Sequence, residues 1–174
     1  MKKIMEQMKE VIMTNQEKWD NKQFEHSKIY KFLRTPTLIW EQLTSEFDFT
    51  LDACASDENH LLPKYYTEDN SCLDKDWSGE VVYCHPMFDK KIDKFVEKCA
   101  KENCLSVMLI PASTHTRYFH KYIYKKPNVE IRFLERQTKG WHFGADDGSP
   151  DDPNSLGYIK PLMVIIFKNN KNVK

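Results

Sequence analysis

The amino-acid sequence predicts an α/β fold built on a mostly parallel β-sheet. Three short segments, at 80–84, 105–110 and 162–167, are rich in residues that favour strands, and the last two are continuously apolar. Segments with helical periodicity lie between them along the chain. Strands that alternate with helices are typical of parallel sheets covered by helices, so we expect this architecture.

The N-terminal segment, residues 3–24, is predicted to form an amphipathic helix. Ile4, Met8, Val11 and Ile12 recur at a spacing near 3.6 residues, with lysine and glutamate between them. We interpret this stripe as a face that packs on the domain or on a partner chain. The alternative is an arm that contacts a nucleic acid.

A helix is predicted to begin the main domain. Pro36 marks a break, since the residue before a proline avoids the helical region. Either Thr35 or Thr37 is expected to cap the helix, which runs from about 38 to 47. The mixed run at 47–53 follows as a strand.

The later elements are predicted from runs of β-forming residues and from helical periodicity. They are a short strand at 64–67, a strand at 80–84, a helix at 89–99, a strand at 105–110, a short helix at 116–124, and strands at 129–134 and 162–167. Residues 137–158 are predicted to form a long polar loop, and such loops are usually functional or disordered.

Length and charge limit the possible classes of protein. The 174 residues suit one domain, 31–168, with a helical extension at 1–30 and a polar tail at 169–174. Lys+Arg and Asp+Glu are both 26, so any basic surface must be local. With no apolar stretch of 18 residues and no signal-peptide core, we expect a cytoplasmic protein without a membrane span.

The cysteine pattern argues against disulfides and zinc. The five cysteines are an odd number and include no Cys-x-x-Cys pair. Reduced thiols fit a cytoplasmic protein best, and we expect no metal site.

Four motifs occur in a fixed order, and together they resemble a known family. They are Thr35-Pro36 before a helix, the run 46–56 followed by Glu58-Asn59, the run 65–69 followed by Leu73 and Trp77, and an apolar strand that enters the turn 85–88. This series is similar to the phage-type DNA adenine-N6 methyltransferases, the small Dam-like proteins. The resemblance implies a Rossmann-like methyltransferase sheet that binds S-adenosyl-L-methionine.

The resemblance assigns cofactor contacts to two early segments. Thr35 and Pro36 are similar to the segment that lines the methionine end of the cofactor. Asp52, Ala53 and Cys54 are similar to the turn in which the backbone passes close to the cofactor.

Acidic residues further along the chain are implied to bind the rest of the cofactor. Glu68 or Asp69 is placed to accept hydrogen bonds from the ribose hydroxyls. Asp74 or Asp76 is placed to accept one from the adenine amine. Without the resemblance, such acids are most often solvated loop residues, and Trp77 is more often a core residue than a stacking platform.

The implied catalytic tetrapeptide is His85-Pro86-Met87-Phe88, where the family has Asn-Pro-Pro-Tyr or Asp-Pro-Pro-Tyr. Phe88 keeps the ring that stacks on a flipped base. The family's first residue accepts a hydrogen from the target amine, whereas neutral imidazole has one acceptor nitrogen and imidazolium has none. Losing such a contact costs roughly 3–4 kcal/mol, so we expect slow turnover unless His85 is neutral and correctly aimed.

Basic residues beside aromatic ones favour a phosphate-contacting surface, although a solvated helix face is the commoner explanation. Contacts with double-stranded DNA are predicted for Lys90, Lys91, Arg117, Lys121, Arg136, Lys139 and Trp141. The acidic loop 146–152 is expected to lie away from the phosphates, and its spacing does not match a calcium loop.

The expected function is methylation of adenine N6 in phage DNA, which would protect that DNA from restriction. The alternative is a catalytically impaired relative that binds a host protein as a counter-defence factor. The sequence gives no indication of the oligomeric state.

Overall fold

The computed structural model describes residues 34–135 and 160–168, together with the backbone of 141–143 and 156–158. The predicted helix at 3–24, most of the predicted loop and the tail at 169–174 lie outside the described residues. The division of the chain at residue 30 therefore stays a prediction.

Seven strands lie in the described residues. They are β1 (Leu51–Asp52), β2 (Val81–Cys84), β3 (Leu105–Pro111), β4 (Val129–Phe133), β5 (Trp141–Phe143), β6 (Leu156–Tyr158) and β7 (Leu162–Lys168). The main sheet has the order β1-β2-β3-β7-β4. β1, β2 and β3 pair in parallel, whereas β7 runs antiparallel to both of its neighbours. The α/β class is confirmed, with parallel pairing among the first three strands.

β3 and β7 form the centre of the core because both are almost entirely apolar. The side chains from Val107 to Ile110 and from Leu162 to Phe167 are at most 2 % exposed. Burying each such side chain contributes about 1.5–3 kcal/mol relative to exposure. The polar exception is Ser106, whose hydroxyl lies 3.1 Å from the thiol of Cys104.

Two α-helices are described, α1 (Thr37–Thr44) and α2 (Ile92–Lys101). α2 buries Ile92, Val96 and Cys99 on one face, as its periodicity predicted. None of the helices in the described ranges is long and apolar enough to cross a membrane.

The predicted cap of α1 is wrong. Pro36 occupies the N-cap position, and no side chain forms a cap hydrogen bond there. The helix also ends at Thr44, earlier than predicted. A residue with a fixed φ can begin a helix without a side-chain acceptor, and this leaves the hydroxyl of Thr35 available for other contacts.

The predicted strand at 47–53 is shorter in the structure. The backbone N–H of Phe47 donates to the carbonyl oxygen of Leu43, and that of Phe49 donates to Phe47. Residues 47–49 lie outside the sheet, and β1 contains only Leu51 and Asp52. The predicted strand at 64–67 is reduced to a parallel bridge between Tyr65 and Asp52.

Two further predictions need correction. The predicted loop at 137–158 contains β5 and β6, which pair antiparallel to each other; their β-forming residues stand at its two ends and were outweighed by the polar stretch between them. The short helix predicted at 116–124 is a π-helical turn at Phe119–Ile123. The Tyr124 N–H donates to the carbonyl oxygen of Phe119, five residues back, at 2.8 Å.

Candidate functional site

The turn after β1 and the 85–88 turn after β2 lie side by side at the carboxyl edge of the sheet. β1 and β2 are parallel neighbours, with Asp52 opposite Tyr83. The Ala53 N–H donates to the carbonyl oxygen of Tyr83 at 2.8 Å, so the two segments stay paired at the end of the strands. Ligands of open α/β sheets bind beyond this edge. The structure therefore brings together two of the predicted site segments.

The carboxylate of Asp52 shapes its own turn. The residue is 3 % exposed, and its two oxygens accept hydrogen bonds from the N–H groups of Cys54 (3.3 Å) and Leu61 (3.1 Å). Burial raises the pKa of this carboxyl, because the charged form is poorly solvated. Asp52 therefore holds the backbone of the 52–61 loop through these two hydrogen bonds.

Thr35 connects the segment before α1 to the 85–88 turn. Its hydroxyl oxygen lies 2.7 Å from the phenol oxygen of Tyr83 and 3.0 Å from Nδ1 of His85. Tyr83 is 1 % exposed, and burial raises the pKa of its phenol well above the ordinary value. The phenol therefore keeps its proton, and the three side chains form one hydrogen-bonded series from the core to the turn.

His85 is neutral at physiological pH. Burial lowers its pKa from 6.5 to about 4, because the imidazolium loses solvation when it is enclosed. One condition for a usable His85, that it carries no positive charge, is thus met near pH 7. A neutral ring has one donor and one acceptor nitrogen. The hydrogen bonds of the ring decide which of its two nitrogens carries the proton.

The rest of the 85–88 turn presents an aromatic ring. Pro86 is buried, and the carbonyl oxygen of Met87 accepts a hydrogen bond from the Asp89 N–H at 2.8 Å, which closes the turn. The half-buried ring of Phe88 lies 5.3 Å from that of His85, measured between centroids. Phe88 also lines a neighbouring cleft of about 700 Å³.

Both acidic and basic side chains line the cleft. The segment that leads into α2 and α2 itself contribute Lys90, Asp89, Asp93 and Glu97, whereas the segments around the π-helical turn and before β7 contribute Ser113, Thr116, Arg117, Lys121 and Lys160. Glu97 pairs with Lys101 at 2.5 Å. Among the described residues, no carboxylate forms an ion pair with Arg117, Lys121 or Lys160.

The DNA-contact predictions divide into three groups. Lys90, Arg117 and Lys121 line the cleft beside Phe88. Lys91 instead lies 3.4 Å from the carboxylate of Glu68. The structure describes only the backbone of Trp141, within β5, while Arg136 and Lys139 lie outside the described residues.

The acids assigned to the cofactor are exposed. Glu68 follows the Tyr65 bridge, one strand position away from β1, and its side chain is 61 % exposed. Asp69 is exposed, and Asp74 is an exposed residue of a short 3₁₀ helix at Cys72–Asp74. Trp77, by contrast, is 0 % exposed, in agreement with its interpretation as a core residue.

Sequence reasoning missed Tyr83, Ser113, Thr116 and Lys160. Tyr83 was interpreted only as a strand-forming residue. A phenol in an otherwise apolar strand was the available signal, because a buried O–H needs a hydrogen-bond partner. Ser113, Thr116 and Lys160 gave no such signal, since their place in the cleft depends on how the chain folds back.

Comparisons with known proteins support the family that the motifs resemble. The sequence matches the family model described as DNA N-6-adenine-methyltransferase (Dam) over residues 26–173. A DNA N-6-adenine-methyltransferase of Haemophilus phage HP1 (strain HP1c1) is 23 % identical over 145 residues, which are 77 % of this chain and 76 % of that protein.

A second relative matches a shorter stretch. The DNA N-6-adenine-methyltransferase of Escherichia phage T1 is 33 % identical over 75 residues, which are 41 % of this chain and 31 % of that protein. The family match covers most of the chain and includes both turns at the carboxyl edge of the sheet, so the resemblance predicted from the motifs is confirmed. The chain therefore belongs to the DNA N-6-adenine-methyltransferase (Dam) family.

Proposed function

We propose that this chain uses S-adenosyl-L-methionine to methylate N6 of adenine in double-stranded DNA, on a sheet of the Rossmann-like methyltransferase type. One observation supports the proposal most directly. The 85–88 turn lies next to the turn after β1, and its Phe88 lines the cleft that Arg117 and Lys121 also line. This arrangement suits a methyl donor and a target base that meet at one turn.

The residues at the carboxyl edge fit the chemistry of the cofactor. S-adenosyl-L-methionine, when bound, supplies an electrophilic methyl group. The exposed carboxylate of Glu68 suits the ribose hydroxyls, with Asp69 as the alternative and Asp74 for the adenine amine. The pairing of Glu68 with Lys91 is no obstacle, because exposed ion pairs contribute only about 0–1 kcal/mol.

The cleft suits a nucleotide that has left the duplex. A base that undergoes chemistry on its exocyclic amine must be extruded from the stack. The ring of Phe88 offers a stacking surface, worth about 1–3 kcal/mol per base. Arg117, Lys121 and Lys160 are cationic side chains of the cleft that suit a phosphate.

The first test measures cofactor binding and methyl transfer separately. Calorimetric titration with S-adenosyl-L-methionine and S-adenosylhomocysteine is expected to show binding. Incubation with unmethylated double-stranded DNA, followed by mass spectrometry of the nucleosides, is expected to show N6-methyldeoxyadenosine. Absence of binding to both compounds would refute the proposal.

Both relatives come from phages, and we propose phage DNA in the host cytoplasm as the substrate.

A second candidate function follows from one departure from the family motif. His85 stands where the family has asparagine or aspartate, and Met87 replaces its second proline. A chain that had lost turnover could serve as a phage counter-defence factor that binds a host protein. That function predicts a protein partner in pull-downs that is retained after His85→Asn, together with no detectable methylation.

A further inference from the structure

The hydrogen bonds around Thr35 restrict where the proton of His85 lies. The threonine hydroxyl has one proton to donate and contacts two groups, the Tyr83 phenol at 2.7 Å and Nδ1 of His85 at 3.0 Å. Tyr83 also has one proton to donate. Each arrangement of these protons fixes the state of Nδ1, so the arrangements can be compared by counting donors and acceptors.

Only one arrangement uses both hydroxyl protons within the group. In it, Tyr83 donates to Thr35, and Thr35 donates to a deprotonated Nδ1 of His85. If Nδ1–H donated to Thr35 instead, either the tyrosine or the threonine proton would need another acceptor. Among the described residues, neither hydroxyl has a hydrogen-bond partner outside this group. For Tyr83, which is 1 % exposed, water is no ready substitute.

We infer that Tyr83 and Thr35 hold neutral His85 in the tautomer with its proton on Nε2. The acceptor nitrogen of the ring is then occupied by Thr35, and the other nitrogen is a donor. Tyr83 and Thr35 are positioning residues, since they act on the turn through His85. The tautomer rests on these contacts alone, and only its catalytic meaning rests on the proposed function.

This tautomer has a direct consequence for methyl transfer. The exocyclic amine of adenine offers hydrogens, so a stabilising side chain at this position must accept one. His85 with its proton on Nε2 and Nδ1 bonded to Thr35 does not supply that acceptor. The residues around His85 therefore determine the polarity of the site as much as His85 itself does.

Nuclear magnetic resonance of protein labelled with ¹⁵N-histidine tests the assignment without DNA or cofactor. Long-range ¹H–¹⁵N correlations distinguish protonated from unprotonated ring nitrogens, and the His85→Asn spectrum identifies the His85 signals among the six histidines. At pH 7 we expect a protonated Nε2 and an unprotonated Nδ1. A protonated Nδ1 in the wild-type protein would overturn the inference.

Variants separate a role in positioning from a general role in folding. Thr35→Val removes the donor to Nδ1 and is expected to move the His85 signals towards those of a tautomer mixture. Tyr83→Phe is expected to act in the same direction, whereas Thr35→Ser keeps the hydroxyl and should match the wild type. Thr44→Val is the matched control, because its hydroxyl contacts only α1 carbonyl oxygens.

Each result has a defined meaning. Unchanged His85 signals in Thr35→Val would contradict the inference. If Thr35→Val fails to fold, the wild-type and Thr35→Ser spectra still decide the tautomer. A protein with the expected tautomer but no methylation would refute the proposed function and leave this inference intact.

Discussion

The lowered pKa of His85 predicts a pH dependence of stability. Its folded value is about 4, against 6.5 for an ordinary histidine. As the pH falls below 6.5, the unfolded chain binds a proton that the folded chain does not, so the folded state loses stability until the pH reaches about 4. The contribution is therefore fully present above pH 6.5 and absent below about pH 4.

The size of this contribution follows from the difference between the two pKa values. A full shift from 6.5 to about 4 corresponds to roughly 3 kcal/mol at about 1.4 kcal/mol per unit. Because His85 keeps part of its surface exposed, we expect about 1–3 kcal/mol in the measurement. That is a large share of a typical stability of about 5–15 kcal/mol.

Urea unfolding at several pH values between about 7.5 and 4.5 provides the assay. Carboxyl groups also titrate in this range, so the quantity to compare is the difference between the wild type and His85→Asn. The difference in unfolding free energy should change in favour of the variant as the pH falls. His115→Asn, at an exposed histidine, is the control. Parallel pH profiles for the wild type and His85→Asn would show that His85 titrates normally and would refute the reasoning.

Three further predictions concern activity and DNA binding. His85→Asn restores an acceptor and should raise the methylation rate roughly 100- to 1,000-fold; an unchanged or lower rate in the nucleoside assay would count against the acceptor argument. Phe88→Ala removes the stacking ring and should abolish measurable methylation, whereas Phe88→Tyr should retain it. The double variant Arg117→Ala, Lys121→Ala should reduce the salt dependence of DNA binding by a slope of about two, whereas Lys126→Ala, outside the cleft, should leave it unchanged.

β3 and β7 were predictable because their residues are almost entirely apolar and bounded by proline or polar residues. The local sequence of a strand does not indicate whether it pairs parallel or antiparallel with its neighbours. The antiparallel placement of β7 between β3 and β4 was therefore not predicted. The short pair β5 and β6 was missed for a related reason, since strands of three residues, one of them containing a glycine, give a weak local signal.

The part of the site that lies at the carboxyl ends of the strands was predictable from the sequence. Asp52 ends one strand and His85 follows its parallel neighbour, so their placement at the same edge follows from the sheet. The contacts of Thr35 with Tyr83 and His85 join residues 48 and 50 positions apart, and no local pattern encodes them. The effect of burial on His85 was likewise invisible in the sequence, because it depends on the residues packed around the ring.

The structure changes the question that His85 raises. From sequence alone, one concern was that a protonated imidazole would repel the positive charge that develops on the target nitrogen. With a pKa of about 4, His85 carries no positive charge near neutral pH. The direction of hydrogen bonding at His85 then becomes the main influence on the methylation rate.

The pH dependence of the reaction separates these two explanations. If His85 titrated at 6.5, protonation would reduce the methylation rate by up to tenfold for each unit of pH below that value. With a pKa of about 4, the rate should be independent of His85 ionisation from about pH 8 down to about pH 5. The ratio of the His85→Asn rate to the wild-type rate is the measurement, since it cancels other titrating groups. A constant ratio across this range would show that the missing acceptor accounts for the slow methylation. A ratio that rises steeply below pH 7 would show that protonation of His85 slows the reaction.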